Sequence, residues 1–189
     1  MAEKSYSGKP GELIDNCRKG DRKAQFEVYR LYYKAMYNTS LRIVSYPAEA
    51  EDIMQEAFLS AFRRIETFKG DVSFGAWLKR IVINKSIDAL RQRKVRFEEI
   101  TMAEQDEALE SMVDFEYSEH LPVETMVKII KEAIHELPQG YQVVLTLALI
   151  EGYDHEEIAQ LLSVSKSTSR SQLARARKKL IEIIKRKRM

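Results

Sequence analysis

Ser73 to Arg96, SFGAWLKRIVINKSIDALRQRKVR, shows two unlike faces when wound at helical pitch. Leu78, Val82, Ile83, Ala89 and Leu90 fall along one side, which suits a core, and Ser73 stands where an N-cap belongs. On the other side Arg80, Asn84, Asp88 and Arg91 recur at spacings of four, four and three, and Arg93, Lys94 and Arg96 follow as a basic exit. Asn reads an adenine edge and Arg a phosphate or a guanine, so this face suits nucleic acid. The plain alternative is a solvated helix face. Trp77 falls near Asn84 on the wheel, where it is either core against a neighbouring helix or a stacking surface.

The chain of 189 residues is 44% hydrophobic, enough for one large domain or two small ones with a real core. Its formal net charge of +2 hides strong segregation. Phe97 to Glu124 holds ten acids and no Lys or Arg, whereas Ser163 to Met189 holds ten bases against the single acid Glu182. Two basic regions separated by an acidic one point to two anion-binding surfaces and a tether that keeps off them or masks them. Cys17 is the only cysteine, so an internal disulfide is impossible and a cysteine-based zinc site is not expected. Neither a signal core nor an apolar stretch of membrane-spanning length is visible, so no membrane insertion and a cytoplasmic location are expected.

Residues 1–10 read as a flexible arm. A short helix over Glu12–Lys19 stops at Gly20, Asp21 caps the next, and Phe26, Tyr29, Tyr33, Tyr37 and Leu41 keep a helical period that reads as core. Another helix starts at Pro47 with Ala50, Ile53, Met54, Ala57, Phe58, Ala61, Phe62 and Ile65 inward. Glu49, Glu51, Asp52, Gln55 and Glu56 remain outward in its first turns. They either complement the helix dipole or dock a basic protein partner.

AEDIMQEAF, then FKG, then SFGAWLKRIVINKSIDALR closely resembles conserved region 2 of the bacterial RNA polymerase sigma factors of the extracytoplasmic-function (ECF) group, over Tyr46 to about Arg96. The resemblance implies that Glu51, Asp52, Gln55 and Glu56 contact the clamp of the polymerase largest subunit. It also implies that Phe68, Lys69, Gly70 and Asn84 capture a base flipped out of the promoter −10 element, with Trp77, Arg80, Asp88, Arg91, Arg93 and Lys94 along the melted strand. Residue types suited to walling and hydrogen-bonding a flipped base are present.

Residues 98–122 read as an acidic interdomain linker, although MAEQDEALESMV could form a helical turn or two. A second domain, 123–189, opens with a helix bearing Met126, Val127, Ile130, Ala133, Ile134 and Leu137, ended by Pro138. QGYQVVLTLALIEG is then almost wholly apolar and reads as the buried helix. Asp154 caps HEEIAQLL, Ser163–Ser165 form a turn, and a basic helix begins at Lys166, which is the helix-turn-helix plan. Leu173, Ala176, Leu180 and Ile184 face inward there, and Arg170, Ser171, Ala174, Arg175 and Lys178 share the outer side.

LPQGYQVVLTLALIEGYDHEEIAQLLSVSKSTSRSQLARARKKL resembles conserved region 4 of the same group. It departs at Ser167–Ser169, where many relatives have Gly-Thr-Val, and at Ala174, where a larger side chain is frequent. The resemblance implies −35 reading by Arg170, Ser171, Ala174 and Arg175, with Lys166 and Thr168 in the same interface and Arg177, Lys178 and Lys179 on phosphates. The expected fold is all-α: a region 2 bundle over 11–97 and a region 4 helix-turn-helix joined by the acidic linker. The expected function is promoter recognition and strand opening for core RNA polymerase, contacting its clamp and the flap of the second-largest subunit. A membrane-bound anti-sigma factor is the further partner that the resemblance implies. No cofactor, metal or catalytic residue is expected. The alternative is a stand-alone helix-turn-helix regulator, which binds DNA tightly without polymerase. A nuclease built on Glu51, Asp52 and Glu56 lacks the further oxygen ligands a divalent metal would require.

Overall fold

Turn chemistry sets the helix boundaries throughout residues 10–93 and 122–188, which the structure, a computed structural model, describes. They are helical, with no strand among them, and fall into two compact units divided between Leu90 and Arg91. The acidic stretch read as a linker, apart from Pro122, lies outside the described residues, as does Lys94.

The first unit contains α1 (Pro10–Arg18), α2 (Arg22–Val44), α3 (Pro47–Arg63), a 3-10 turn (Ile65–Thr67) and, as far as Leu90, α4 (Phe74–Gln92), whose last two residues fall beyond the division. Gly20, at φ +78°, carries the chain out of α1 through a left-handed conformation that glycine adopts without strain. Asp21 then caps α2, its carboxylate accepting from the amides of Lys23 and Ala24. Pro47 occupies the first turn of α3, where a missing N–H leaves no bond unmade. Leu13, Ile14 and Cys17 of α1, Val28 and Met36 of α2, Met54, Ala57 and Phe58 of α3, and Phe74 and Leu78 of α4 close into one apolar core. Burial, helped by nearby Asp21, pushes the Cys17 thiol up to about 11, so it stays protonated near neutral pH.

The aromatic row of α2 packs against the core as periodicity put it, except at Phe26. Phe26 is 60% exposed, and Tyr29, Tyr33 and Tyr37 are only partly buried, while Ala24, Val28, Met36, Ile43 and Val44 line the buried seam. Small and aliphatic side chains allow close helix approach, whereas the tyrosines flank the seam, with Tyr29 against Phe58 at 4.9 Å. Gly75 exploits a similar closeness, since a Cβ there would stand 2.9 Å from Cε1 of Tyr32. Gly75→Ala is therefore expected to push that ring aside and lower stability by on the order of 1 kcal/mol, as read by denaturant unfolding. Unchanged stability would mean that the ring swings away without loss.

The second unit contains α5 (Val123–His135), α6 (Gln139–Leu145) running on into a π turn (Thr146–Ile150), α7 (His155–Leu162) and α8 (Lys166–Arg188). Buried Gln142 ties α6 to the end of α5, its amide donating to the carbonyls of Leu137 (2.7 Å) and His135 (3.1 Å). The apolar segment is the buried one, as expected, with its consecutive buried run ending at Leu147. Leu149 and Ile150 stand about half exposed. At the far end of α8, Lys187 bonds Glu136 (2.7 Å) and Glu132 (3.2 Å), and Arg186 also reaches Glu136. The Lys187 hydrogen bond holds the Glu136 carboxyl below its usual range and the same contact raises Lys187. Those terminal bases brace α5 and are not part of the outward cationic face.

Candidate nucleic-acid interfaces

Helix α4 presents its polar side as expected. Ser73 caps it, with Oγ accepting from the Ala76 amide at 3.2 Å. Leu78, Val82, Ile83 and Leu90 are fully buried, and Ala89 is intermediate. Ile81, Ser86 and Ile87 are also buried, with Ser86 Oγ bonded to the Val82 carbonyl and to Ser40 of α2 at 3.1 Å. That fixes the rotation of α4, and Arg80, Asn84, Asp88, Arg91 and Arg93 are all exposed on the outside.

Ahead of this face runs the turn 68–73. Lys69, Gly70, Asp71, Val72 and Ser73 are exposed, and Gly70 holds φ +85°. The Phe68 ring is half-buried, 5.4 Å from Phe74 and from Trp77, and Trp77 lies 5.4 Å from Phe74. Trp77 is therefore one member of an aromatic trio, partly buried and packed against the core. Phe68 and Trp77 form the floor of the turn, whose exposed rim is Lys69 and Gly70.

On α3, Glu51, Asp52, Gln55 and Glu56 are exposed together. Gln55 donates to Glu51, and Glu56 pairs with Lys85 of α4 at 3.1 Å, so the patch is partly neutralised from its own unit. Sequence spacing gave no sign of this pair, whose members lie 29 positions apart.

In the second unit the helix-turn-helix is tightly capped. Asp154 and Glu157 form a reciprocal capping box at the start of α7, and Ser163 turns the chain at φ 57°. Ser165 caps α8, accepting from the Thr168 amide at 3.0 Å, and its hydroxyl lies 2.8 Å from those of Ser167 and Thr168. Lys166 is paired with Glu156 at 2.8 Å. Arg170, Arg177, Lys178 and Lys179 are exposed, with Lys179 paired to Glu182. Ser171, Ala174 and Arg175 are half-buried, nearer the edge of the outward face than its centre, and Ser171 Oγ donates to the Thr168 carbonyl. Leu180, expected inward, is intermediate.

The seam between the two motif helices holds a contact that periodicity did not reveal. Ser169 is fully buried, and its hydroxyl lies 2.9 Å from Nδ1 of His155 at the start of α7. The available sign was a serine one turn before Leu173 on the inward side of α8, since a buried hydroxyl needs a partner.

Amide hydrogen bonds hold the Asp154 carboxyl below its usual range. A carboxyl lowered in the folded state supports folding above its ordinary pKa and loses that support as pH falls below it. Thermal unfolding followed from neutral pH down past 3.8, the ordinary value, should therefore show a loss of stability that shrinks in Asp154→Asn, which keeps a neutral cap. Identical pH profiles would contradict the assignment.

Among the described residues no three or more His, Cys, Asp or Glu side chains group as a metal site, and no helix is long and apolar enough to cross a membrane. The chain matches the family model for sigma-70 region 2 over residues 28–96 and that for sigma-70 region 4 over residues 128–180. It is 31% identical to the RNA polymerase sigma-H factor of Pseudomonas aeruginosa, over 88% of this chain and 89% of that one. Identity to the ECF RNA polymerase sigma-E factor of Haemophilus influenzae is also 31%, over 87% and 89%. Among solved structures it resembles the sigma factor RpoE of Bartonella quintana in complex with the anti-sigma factor NepR (TM-score 0.52, 21% identity, 84% of this chain and 95% of that one). It also resembles CnrH in complex with the cytosolic domain of CnrY (TM-score 0.51, 20% identity, 92% and 96%).

Proposed function

The chain belongs to the sigma-70 family of RNA polymerase sigma factors, in its ECF group, and from that premise we infer which residues carry each part of the work. As an ECF sigma factor it binds core RNA polymerase, recognises the −35 and −10 promoter elements and promotes strand opening for initiation. Its contribution is binding; the bond-making chemistry of RNA synthesis belongs to the polymerase.

The exposed side of α4 and the turn before it take the −10 element. Arg80, Arg91 and Arg93 hold phosphates of the separated strand, with Lys94 continuing the basic run, and Lys69, Gly70 and Asn84 surround one flipped base over the Phe68–Trp77 floor. Stacking and edge hydrogen bonds to unpaired bases are worth about 1–3 kcal/mol per base, so several captured bases offset the loss of duplex stacking without a nucleotide-hydrolysis step. Arg170 reads the −35 duplex from the exposed side of α8, with Ser171, Ala174 and Arg175 at its edge and Lys166, Thr168, Arg177, Lys178 and Lys179 along the backbone. Glu51, Asp52, Gln55 and Glu56 meet a basic surface of the polymerase clamp, and the second unit meets the flap. An anti-sigma factor covers polymerase-binding faces in the resting state; one structural relative was solved with an anti-sigma factor and the other with the cytosolic domain of CnrY. The working location is the cytoplasm, where the polymerase and its template are.

The observation that carries this reading is the occurrence, in order, of both family blocks with an exposed cationic face in each. Run-off transcription from genomic DNA with purified core polymerase tests it. New discrete start sites that depend on the added chain are the expected result. Unchanged output with folded protein and active core would overturn it, and tight, polymerase-independent promoter binding in that same case would favour a stand-alone regulator.

A further inference from the structure

Helix α1 lies before the segment matched to region 2, which begins at residue 28, yet it touches the turn that leads into α4. Nη2 of Arg18, the last residue of α1, donates to the backbone carbonyl of Phe68 at 2.6 Å, across 50 positions of sequence. Nη1 of the same guanidinium donates to Asp15 at 2.9 Å. One arm of the planar fork is thus fixed to its own helix and the other to the root of the turn, in charge-assisted geometry that a lysine cannot reproduce.

Phe68 is where the chain leaves its 3-10 turn for extended backbone, at ψ 107°. Beyond it every residue through Ser73 is exposed, and an added Cβ on Gly70 would meet nothing within 4 Å. The turn is therefore held at its ends: at Ser73 by the cap it gives α4, and at Phe68 by its packed ring, by its amide donating to the Ile65 carbonyl at 3.1 Å, and by Arg18 on its own carbonyl. Ring and amide fix the near side of Phe68 but leave ψ, and with it the peptide plane that carries the carbonyl, free to turn. The carbonyl bond removes that rotation and aims the rim, Lys69 and Gly70.

We propose that Arg18 is a positioning residue for capture of the flipped −10 base: by fastening the Phe68 carbonyl it sets the turn around the base while touching no DNA itself. This rests on the base-capture reading of that turn, and the test separates the two. Core polymerase carrying the full-length chain is offered the single non-template −10 strand of a promoter found by run-off transcription, with either the native base or an abasic nucleotide at the captured position. With the unaltered protein the native base is expected to bind more tightly. In Arg18→Ala that preference falls by about tenfold, the usual effect of losing a hydrogen bond to a charged group, while the abasic strand and a −35 duplex bind as before. Arg18→Lys, which keeps charge and helix propensity, loses most of the preference too. If the unaltered protein shows no preference, the base-capture reading itself fails. If it does, and the variants keep theirs, the role of Arg18 is overturned. Equal weakening on native and abasic strands, with a lower unfolding midpoint, also overturns it, since that is the mark of a merely structural bond.

Discussion

Leu78→Ala is expected to lower the stability of the first unit by about 2–5 kcal/mol, the range for truncating a fully buried leucine. Leu78 is 0% exposed in the second turn of α4 and belongs to the core that also holds Leu13, Val28, Met54 and Phe58. Its removal strikes the seam against which α4 is rotated, so the outward stripe of Arg80, Asn84 and Arg91 loses its fixed presentation along with the stability. Most single domains have only about 5–15 kcal/mol in hand, so polymerase-dependent transcription should drop steeply at growth temperature. The second unit has its own core around Val143, Leu147, Ile158 and Ala176, and its unfolding transition should not move. Calorimetry of the full-length variant checks this: a shift confined to one transition is expected, and equal shifts in both would refute separate cores.

Arg170→Ala is expected to lower initiation from promoters dependent on the −35 element by about 10- to 100-fold, the loss associated with one side chain paired to a guanine edge. Arg170 is exposed on α8, one turn past the Ser165 cap, where the first residues of a recognition helix meet base edges. Truncation should relax sequence preference at one −35 position more than it weakens binding overall. Arg177→Ala, further along the helix and assigned to phosphate, should instead weaken binding evenly across sequences and reduce its salt slope by about one. Transcription from a set of singly substituted −35 elements distinguishes the two patterns. Evenly reduced activity in Arg170→Ala would show that it too sits on the backbone.

Local rules acted where their causes were local. Asp21, Pro47, Ser73 and Asp154 mark helix starts because a side chain can reach an orphan amide within three residues or supply a suitable φ, and all four stand at helix starts in the structure. The outward stripe of α4 was legible for the same reason, as a periodicity within one element. Of the α2 aromatics Tyr29, Tyr33 and Tyr37 pack against the core as expected, but Phe26 does not, because periodicity assigns a face and says nothing of how closely a neighbouring helix comes; Ala24 and Val28 take the buried places there. The apolar run from Gln139 is the buried helix as expected, but apolar composition does not say where burial ends, and Leu149 and Ile150 lie beyond that end.

From its sequence alone this protein was already determined as two helical units, each with one cationic face, because amphipathic period, caps and charge segregation are properties of neighbours along the chain. Only the folded molecule decided that Arg18 holds the Phe68 carbonyl, that Lys85 neutralises Glu56, that His155 meets Ser169, and that Trp77 completes an aromatic floor. The first three join residues well separated along the chain, and the last depends on the turn that brings Phe68 back onto α4; contacts of that kind are set by how helices pack, which no spacing in the sequence records.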